Sequence, residues 1–220
     1  MRNARIVSTG AYAPEKVVTN EWFNEWFKED VDTWLRNNVQ IYERRWCAED
    51  ESTVDLCEKA ALQAMERANV TAKDLDLIII ATDTPEYISP STASVLQHRL
   101  GANKAGTFDI NTACAGFVTA LDIGSKYIIA DNNYEKILVI GAYAMSKYIN
   151  IEDKKTATLF ADGAGAVILE ATDSTGSGFL ASELITEGQY HDWMGIYAGG
   201  THQPVTDTVI SHHDHQLKFV

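Results

Sequence analysis

Gly106-Thr-Phe-Asp-Ile-Asn-Thr-Ala-Cys114-Ala-Gly-Phe-Val118 decides how the rest of the chain is read. Its first five residues form a buried-looking strand, a short turn follows, and a helical pattern begins at the cysteine. A thiol at a helix start meets unpaired N–H groups and the positive end of the macrodipole, both of which favour the thiolate. Ala113, Ala115 and Gly116 place small residues around the sulfur and leave it open to a ligand. The stretch reads as a strand–turn–helix nucleophile. A hydrolase-type elbow would need glycine two residues before the nucleophile, whereas position 112 is Thr and only Gly116 fits. An inert packing thiol is the better reading for Cys57, on an apolar helix face, while Cys47 lies in a loop beside Trp46 with no evident base.

Outward from this stretch, strands and helices alternate. Arg5 to Thr9 is a short strand ending at Gly10, and the Trp-rich residues 20–46 read as helical pieces and loops lying over a surface. Ser52-Thr-Val-Asp55 is a capping box, followed by Cys57, Ala61, Ala64 and Ala68 at helical spacing. Leu75 to Ala81 is a nearly continuous apolar run, the pattern of a strand covered on both faces. Ser89-Pro90 supplies an N-cap and a first-turn proline for a helix over 91–100 that stops at Gly101. The helix from 114 to about 130 carries an apolar stripe of Phe117, Leu121, Gly124 and Ile128, and strands follow at 136–142 and 164–170. This order predicts an α/β fold with a mostly parallel sheet.

After Glu170 the character changes. Ser174-Thr-Gly-Ser-Gly178 reads as a flexible connection, and Phe179 to Thr186 as a strand ending in Glu187-Gly188. That unit echoes Arg5 to Gly10 and suggests the first strand of a second, similar half. The apolar ending Leu217-Lys-Phe-Val220 adds the expectation of a fragment: residues 1–172 as a first half carrying the nucleophile, and 173–220 as connector and start of the second.

The 220 residues suffice for a sizeable core, and a net charge of −13 argues against nucleic acid as a general partner. Three cysteines without a C-x-x-C pair make no disulfide framework and fit a reducing compartment. The opening residues lack a signal peptide's apolar stretch, and no window approaches the roughly 18 apolar residues of a membrane span. A cytoplasmic protein with no membrane association is expected. His212, His213 and His215 invite a zinc reading, but neighbouring histidines rarely converge on one ion without a further ligand, so no metal is expected. Gly163 and Gly165 read as structural, because the segment that follows them is a strand rather than a phosphate-binding helix.

Asn111-Thr-Ala-Cys-Ala-Gly-Phe-Val-Thr-Ala-Leu121 resembles the active-site segment of the β-ketoacyl-acyl-carrier-protein synthase III family, of the thiolase superfamily. Ile6-Val-Ser-Thr-Gly-Ala-Tyr-Ala-Pro-Glu15, Ile41-Tyr-Glu-Arg-Arg45 and Phe160-Ala-Asp-Gly-Ala-Gly-Ala-Val167 resemble further elements of that family, in the same order and spacing. The resemblance spans roughly residues 3–188. It implies a thiolase-like fold, with layered helices around a mostly parallel mixed sheet and an incomplete second half-repeat. It also implies a transferase of fatty-acid or polyketide initiation. Cys114 would take an acyl group from acyl-CoA and pass it to a malonyl thioester on acyl carrier protein, with its own N–H forming half of the oxyanion hole. Coenzyme A enters as a thioester substrate, no cofactor is implied, and a homodimer is expected by resemblance.

For substrate binding the resemblance points to Trp34, where the family has an aromatic that stacks on adenine. Asn38 and Lys154 stand where the family has arginines, and a lysine meets phosphate as a point charge only. Ser89 falls in the acyl-pocket stretch at a position often held by Phe, which suits a bulkier acyl group. The family's decarboxylating His and Asn have no matching motif in these residues. Two alternatives follow: a starter-unit acyltransferase or hydroxymethylglutaryl-CoA-synthase-like enzyme, and a non-catalytic fragment or subunit that binds acyl thioesters.

Overall fold

The computed structural model describes residues 2–173 and 176–220, so Ser174 and Thr175 of the expected connection lie outside the described residues. In chain order the elements are β1 (Asn3–Tyr12), β2 (Lys16–Thr19), α1 (Asn20–Phe27), α2 (Asp32–Trp34), β3 (Glu43–Trp46), α3 (Thr53–Ala68), β4 (Leu77–Ala81) and α4 (Thr92–Leu100). There follow β5 (Gly106–Ile110), α5 (Gly116–Ala130), β6 (Lys136–Ala144), α6 (Lys154–Ala157), β7 (Asp162–Thr172), β8 (Met194–Gly195), α7 (Asp207–Ser211) and β9 (Lys218–Phe219). Contacts divide the chain into two compact units: Met1–Ala13, Glu49–Tyr143 and Gly163–Leu184 form the first, and Pro14–Ala48, Ala144–Asp162 and Ile185–Val220 the second.

The first unit is built on a five-stranded sheet in the order β1-β7-β6-β4-β5. β4 is parallel to both β5 and β6, while β1 runs antiparallel to β7, so the sheet is mixed. All five residues of β4 are buried, as its unbroken apolar run predicts for a strand covered on both faces. Leu77 and Ile79 of β4 and Ile137 and Val139 of β6 form one core cluster with Ala120 and Ile128 of α5. Helix α3 lies against β1 so closely that a Cβ on Gly10 would sit 2.1 Å from the Ala60 carbonyl oxygen. Its capping box forms as the sequence predicts, with the Asp55 carboxylate accepting from the Ser52 N–H at 2.7 Å.

Several expectations are corrected. β5 is a half-exposed edge strand rather than a buried one, because only β4 pairs with it in the sheet order. Helix α4 starts at Thr92, one residue later than expected, and Ser91 rather than Ser89 is its N-cap, accepting from the Ser94 N–H at 3.3 Å; the Ser89–Pro90 bond is cis. Phe179 to Thr186 forms no strand. A strand exists through the ladder of a neighbour; here the Phe179 N–H donates to the Ala4 carbonyl, and Leu180 is 94% exposed. Residues 113–130 also form one helical run of mean hydropathy 1.3, long and apolar enough by composition to cross a membrane. The expectation that no window approaches a membrane span is thereby corrected; within the run Asp122 and Lys126 pair at 2.8 Å, and it packs on the sheet through Ala120 and Ile128.

The second unit contains an element the sequence does not announce: β2 and β3 pair antiparallel within the Trp-rich region. The buried Arg44 guanidinium of β3 donates to the Val18 and Thr158 carbonyls and to Asn20 Oδ1, at 3.1, 2.8 and 2.8 Å, and lies over the Phe23 ring. Burial lowers its pKa to about 10, which still leaves it charged at neutral pH. The first arginine of the Ile41–Arg45 motif, Arg44, therefore has a structural reason. Near the C-terminus, β8 and β9 pair antiparallel, in line with the strand-like reading of the last residues.

Candidate active site

Cys114 lies at the end of the parallel edge strand β5, in a single 3-10 turn (Ala113–Ala115) that leads directly into α5. Ala113 adopts φ +45°, a left-handed conformation uncommon for a residue with a Cβ. Such strain, of order 1–3 kcal/mol, persists only where the surroundings over-determine it. Here the Asn111 side chain accepts from the Ala113 N–H at 3.1 Å, and the Ala115 N–H donates to the Thr112 carbonyl at 3.1 Å. The N–H groups on both sides of Cys114 are thus engaged, whereas its own has no acceptor among the described residues. Thr112 Oγ1 donates to Thr119 Oγ1 at 3.1 Å, which in turn donates to the Ala115 carbonyl at 2.9 Å, lacing the turn to the helix.

The three cysteines separate cleanly. Cys114 is exposed, whereas Cys47 and Cys57 are buried. Burial, reinforced by the Asp109 and Glu86 carboxylates, pushes the Cys57 thiol far above its ordinary pKa. Asp109, inside the motif, has a task that spacing alone does not reveal: its carboxylate accepts from the Thr92 and Ala93 N–H groups at 2.6 and 2.7 Å, tying the start of α4 to β5. Gly116 is buried, and a Cβ there would lie 3.0 Å from the Ala81 Cβ, so its absence lets α5 begin in contact with the end of β4. Ser89 belongs to the same unit and is exposed in the loop before α4.

The other candidates fall in the second unit. Trp34 and Lys154, 120 positions apart in sequence, line one cavity of about 490 Å³ together with Glu29, Asp30, Lys155 and Phe219. Lys154 is ion-paired with Glu29, a residue the sequence does not mark because the pairing is wholly tertiary. Asn38 is not in the lining: its amide donates to the Trp34 carbonyl at 2.9 Å, within its own helical turn. Asp162, first residue of the Asp-Gly-Ala-Gly element, is buried and accepts from the Cys47 N–H at 2.7 Å, the Ser146 N–H at 2.8 Å and the Ser146 hydroxyl. It is a clamp on two loops. A Cβ on Gly163 would come within 3.2 Å of the Tyr12 carbonyl, whereas Gly165 faces open space, so close packing gives a structural reason for the first glycine only. His213 Nδ1 lies 2.9 Å from Gln216 Oε1, and the described residues contain no cluster of His, Cys, Asp and Glu that would hold a metal.

A family profile for 3-oxoacyl-[acyl-carrier-protein] synthase III matches residues 108–188, a span that includes the Cys114 turn. The β-ketoacyl-[acyl-carrier-protein] synthase III of Xylella fastidiosa is 45% identical over 185 residues, covering 84% of this chain and 56% of the relative. The solved 3-oxoacyl-[acyl-carrier-protein] synthase III of Aquifex aeolicus superposes with a TM-score of 0.81 at 37% identity, covering 87% of this chain and 61% of that one. The priming β-ketosynthase of the R1128 polyketide pathway does so at 0.74 and 30% identity, over 78% and 51%. The fold, with a thiol at its strand-to-helix turn, is that of the thiolase superfamily. Within it, the chain is similar to the β-ketoacyl-acyl-carrier-protein synthase III-like proteins over the stretches just given. It spans little more than half the length of the curated relatives it matches.

Proposed function

We propose that this chain is the nucleophile-bearing part of an acyl-CoA-dependent condensing enzyme for fatty-acid or polyketide initiation. The observation that carries the reading is the exposed thiol of Cys114 on a strained turn whose neighbouring N–H groups are already bonded. The Cys114 thiolate attacks the acyl-CoA carbonyl carbon. Its own N–H faces the oxyanion that forms, and collapse of that adduct expels the CoA thiolate and leaves an acyl-enzyme thioester. Loss of CO2 from a malonyl thioester then supplies a carbanion. The carbanion attacks the acyl carbonyl and releases the β-ketoacyl thioester and the Cys114 thiolate. Residues 1–220 carry the first half of this sequence; the second half needs the decarboxylating His and Asn, whose motifs they lack.

Trp34 and Lys154 on one cavity support a site for the CoA nucleotide, and Ser89 is retained as an acyl-pocket residue by resemblance alone. Asn38, engaged by its own helical turn, adds nothing to that site. The similarity to β-ketoacyl-[acyl-carrier-protein] synthases supports acyl carrier protein as the acceptor's carrier. The free outer edge of β5, with Tyr87 and Ile88 exposed in the same unit, supports a homodimer. A cytoplasmic location rests on the resemblance and the absence of a disulfide framework. Incubation with acetyl-CoA should add one acyl mass to the peptide containing Cys114. Equal labelling of Cys114→Ala overturns the mechanism.

A further inference from the structure

The cavity lined by Trp34 and Lys154 carries balanced rather than net positive charge. It presents Glu29 and Asp30 against Lys154 and Lys155, two carboxylates against two ammonium groups. Asp30 is fixed in its ionised form: its carboxylate accepts from the Thr33 hydroxyl at 2.6 Å and the Thr33 N–H at 3.0 Å, and these bonds hold its pKa below the ordinary value. Lys154 is taken by Glu29, while Lys155 has no ion-pair partner among the described residues. Both members of the Glu29–Lys154 pair are about half exposed, at 46% and 50%, so the pair can open to a competing anion.

We propose that Glu29 sets the donor specificity of this cavity: by holding Lys154 in an internal ion pair, it makes a phosphate-bearing thioester carrier break that pair to bind. A carrier without phosphates, resting on Trp34, meets no such competition. This rests on the cavity being the thioester-carrier site. The class of donor favoured over a cavity with a free Lys154 is therefore one of lower anionic charge, and Glu29 is a positioning residue acting through Lys154.

Calorimetric titration of the 220-residue chain with coenzyme A and with pantetheine, which shares the thiol arm but lacks phosphates, tests this. Glu29→Gln should tighten coenzyme A by up to about fivefold, the upper end for an exposed pair, and leave pantetheine unchanged. The gain should fade at high ionic strength and vanish in a Lys154→Ala background. If coenzyme A binding depends on Trp34 and Lys154 but Glu29→Gln leaves the coenzyme A to pantetheine ratio unchanged, the role of Glu29 is wrong and the site stands. A gain that survives Lys154→Ala also overturns the ion-pair account. If coenzyme A binding is insensitive to both Trp34→Ala and Lys154→Ala, the site itself is misassigned and the proposal falls with it.

Discussion

Gly116→Ala separates the stability of the turn from its chemistry. Gly116 has ordinary helical dihedrals, φ −55° and ψ −49°, so an added methyl meets no backbone penalty. Alanine in a helix is favoured over glycine by about 0.5–1 kcal/mol. Against this, the new Cβ would lie 3.0 Å from the Ala81 Cβ, which is 4% exposed and belongs to a strand hydrogen-bonded on both sides. Reaching an ordinary carbon–carbon contact of about 3.5–4.0 Å requires a shift of at least about 0.5 Å. The softer side of that contact is the first turn of α5. Overpacking of this kind costs about 1–3 kcal/mol, so the net loss is at most about 2.5 kcal/mol and near 1 kcal/mol at mid-range, or a few degrees in Tm for a chain of this size. The shift is delivered two residues from the Cys114 sulfur. A misplacement near 1 Å can slow a positioned reaction about 100-fold, so about tenfold slower acylation is expected. Melting curves and a mass-spectrometric time course with acetyl-CoA measure the two effects. Gly165→Ala, whose Cβ would meet nothing within 4 Å, is the control and should change neither. Acylation of Gly116→Ala within about twofold of wild type would refute the link between this close approach and the position of the thiol.

Iodoacetamide should alkylate Cys114 in the native chain at least about tenfold faster than Cys47 or Cys57, whose thiols are buried; peptide mapping that finds equal modification contradicts the exposure pattern. Acid should destabilise the first unit through Asp76. Burial raises the Asp76 pKa, but the Lys104 ammonium at 2.6 Å and the N–H groups of Lys136 and Glu135 outweigh it and hold the carboxyl below the usual range. Because the folded value is depressed, the stability it contributes is present above about pH 4 and lost as pH falls through the folded value. Urea midpoints between about pH 6 and pH 2.5 should therefore drop more steeply for wild type than for Asp76→Asn; parallel curves would remove Asp76 from the account.

Much of the fold and the nucleophile could be read from local pattern. The nearly continuous run Leu75–Ala81 marks a strand covered on both faces, found at Leu77–Ala81, and Ser52 with Asp55 marks the start of α3, because these signals involve neighbours in sequence. Cys114 stands out for the same reason: strand, turn, small residues and helix follow within thirteen positions. Spacing could not show that β5 is an edge, since strand order depends on which distant segment pairs with it. Nor could it show that 179–186 lacks a ladder, because an apolar extended segment reads alike with or without a partner.

The cluster at the second unit's cavity was partly legible. Trp34 and Lys154 were marked by resemblance, but Glu29 became visible only when the chain brought it to Lys154, 125 residues away in sequence. Asp109 and Asp162 show the same limit from the other side, since each carboxylate could be seen in a motif while the backbone N–H groups it holds lie on other elements. The sequence by itself determined where the thiol lies and which elements flank it, because turn and helix-start preferences act over a few residues. Tertiary structure alone decided which charges meet and which strand ends the sheet, because these depend on contacts between segments that local preference does not connect.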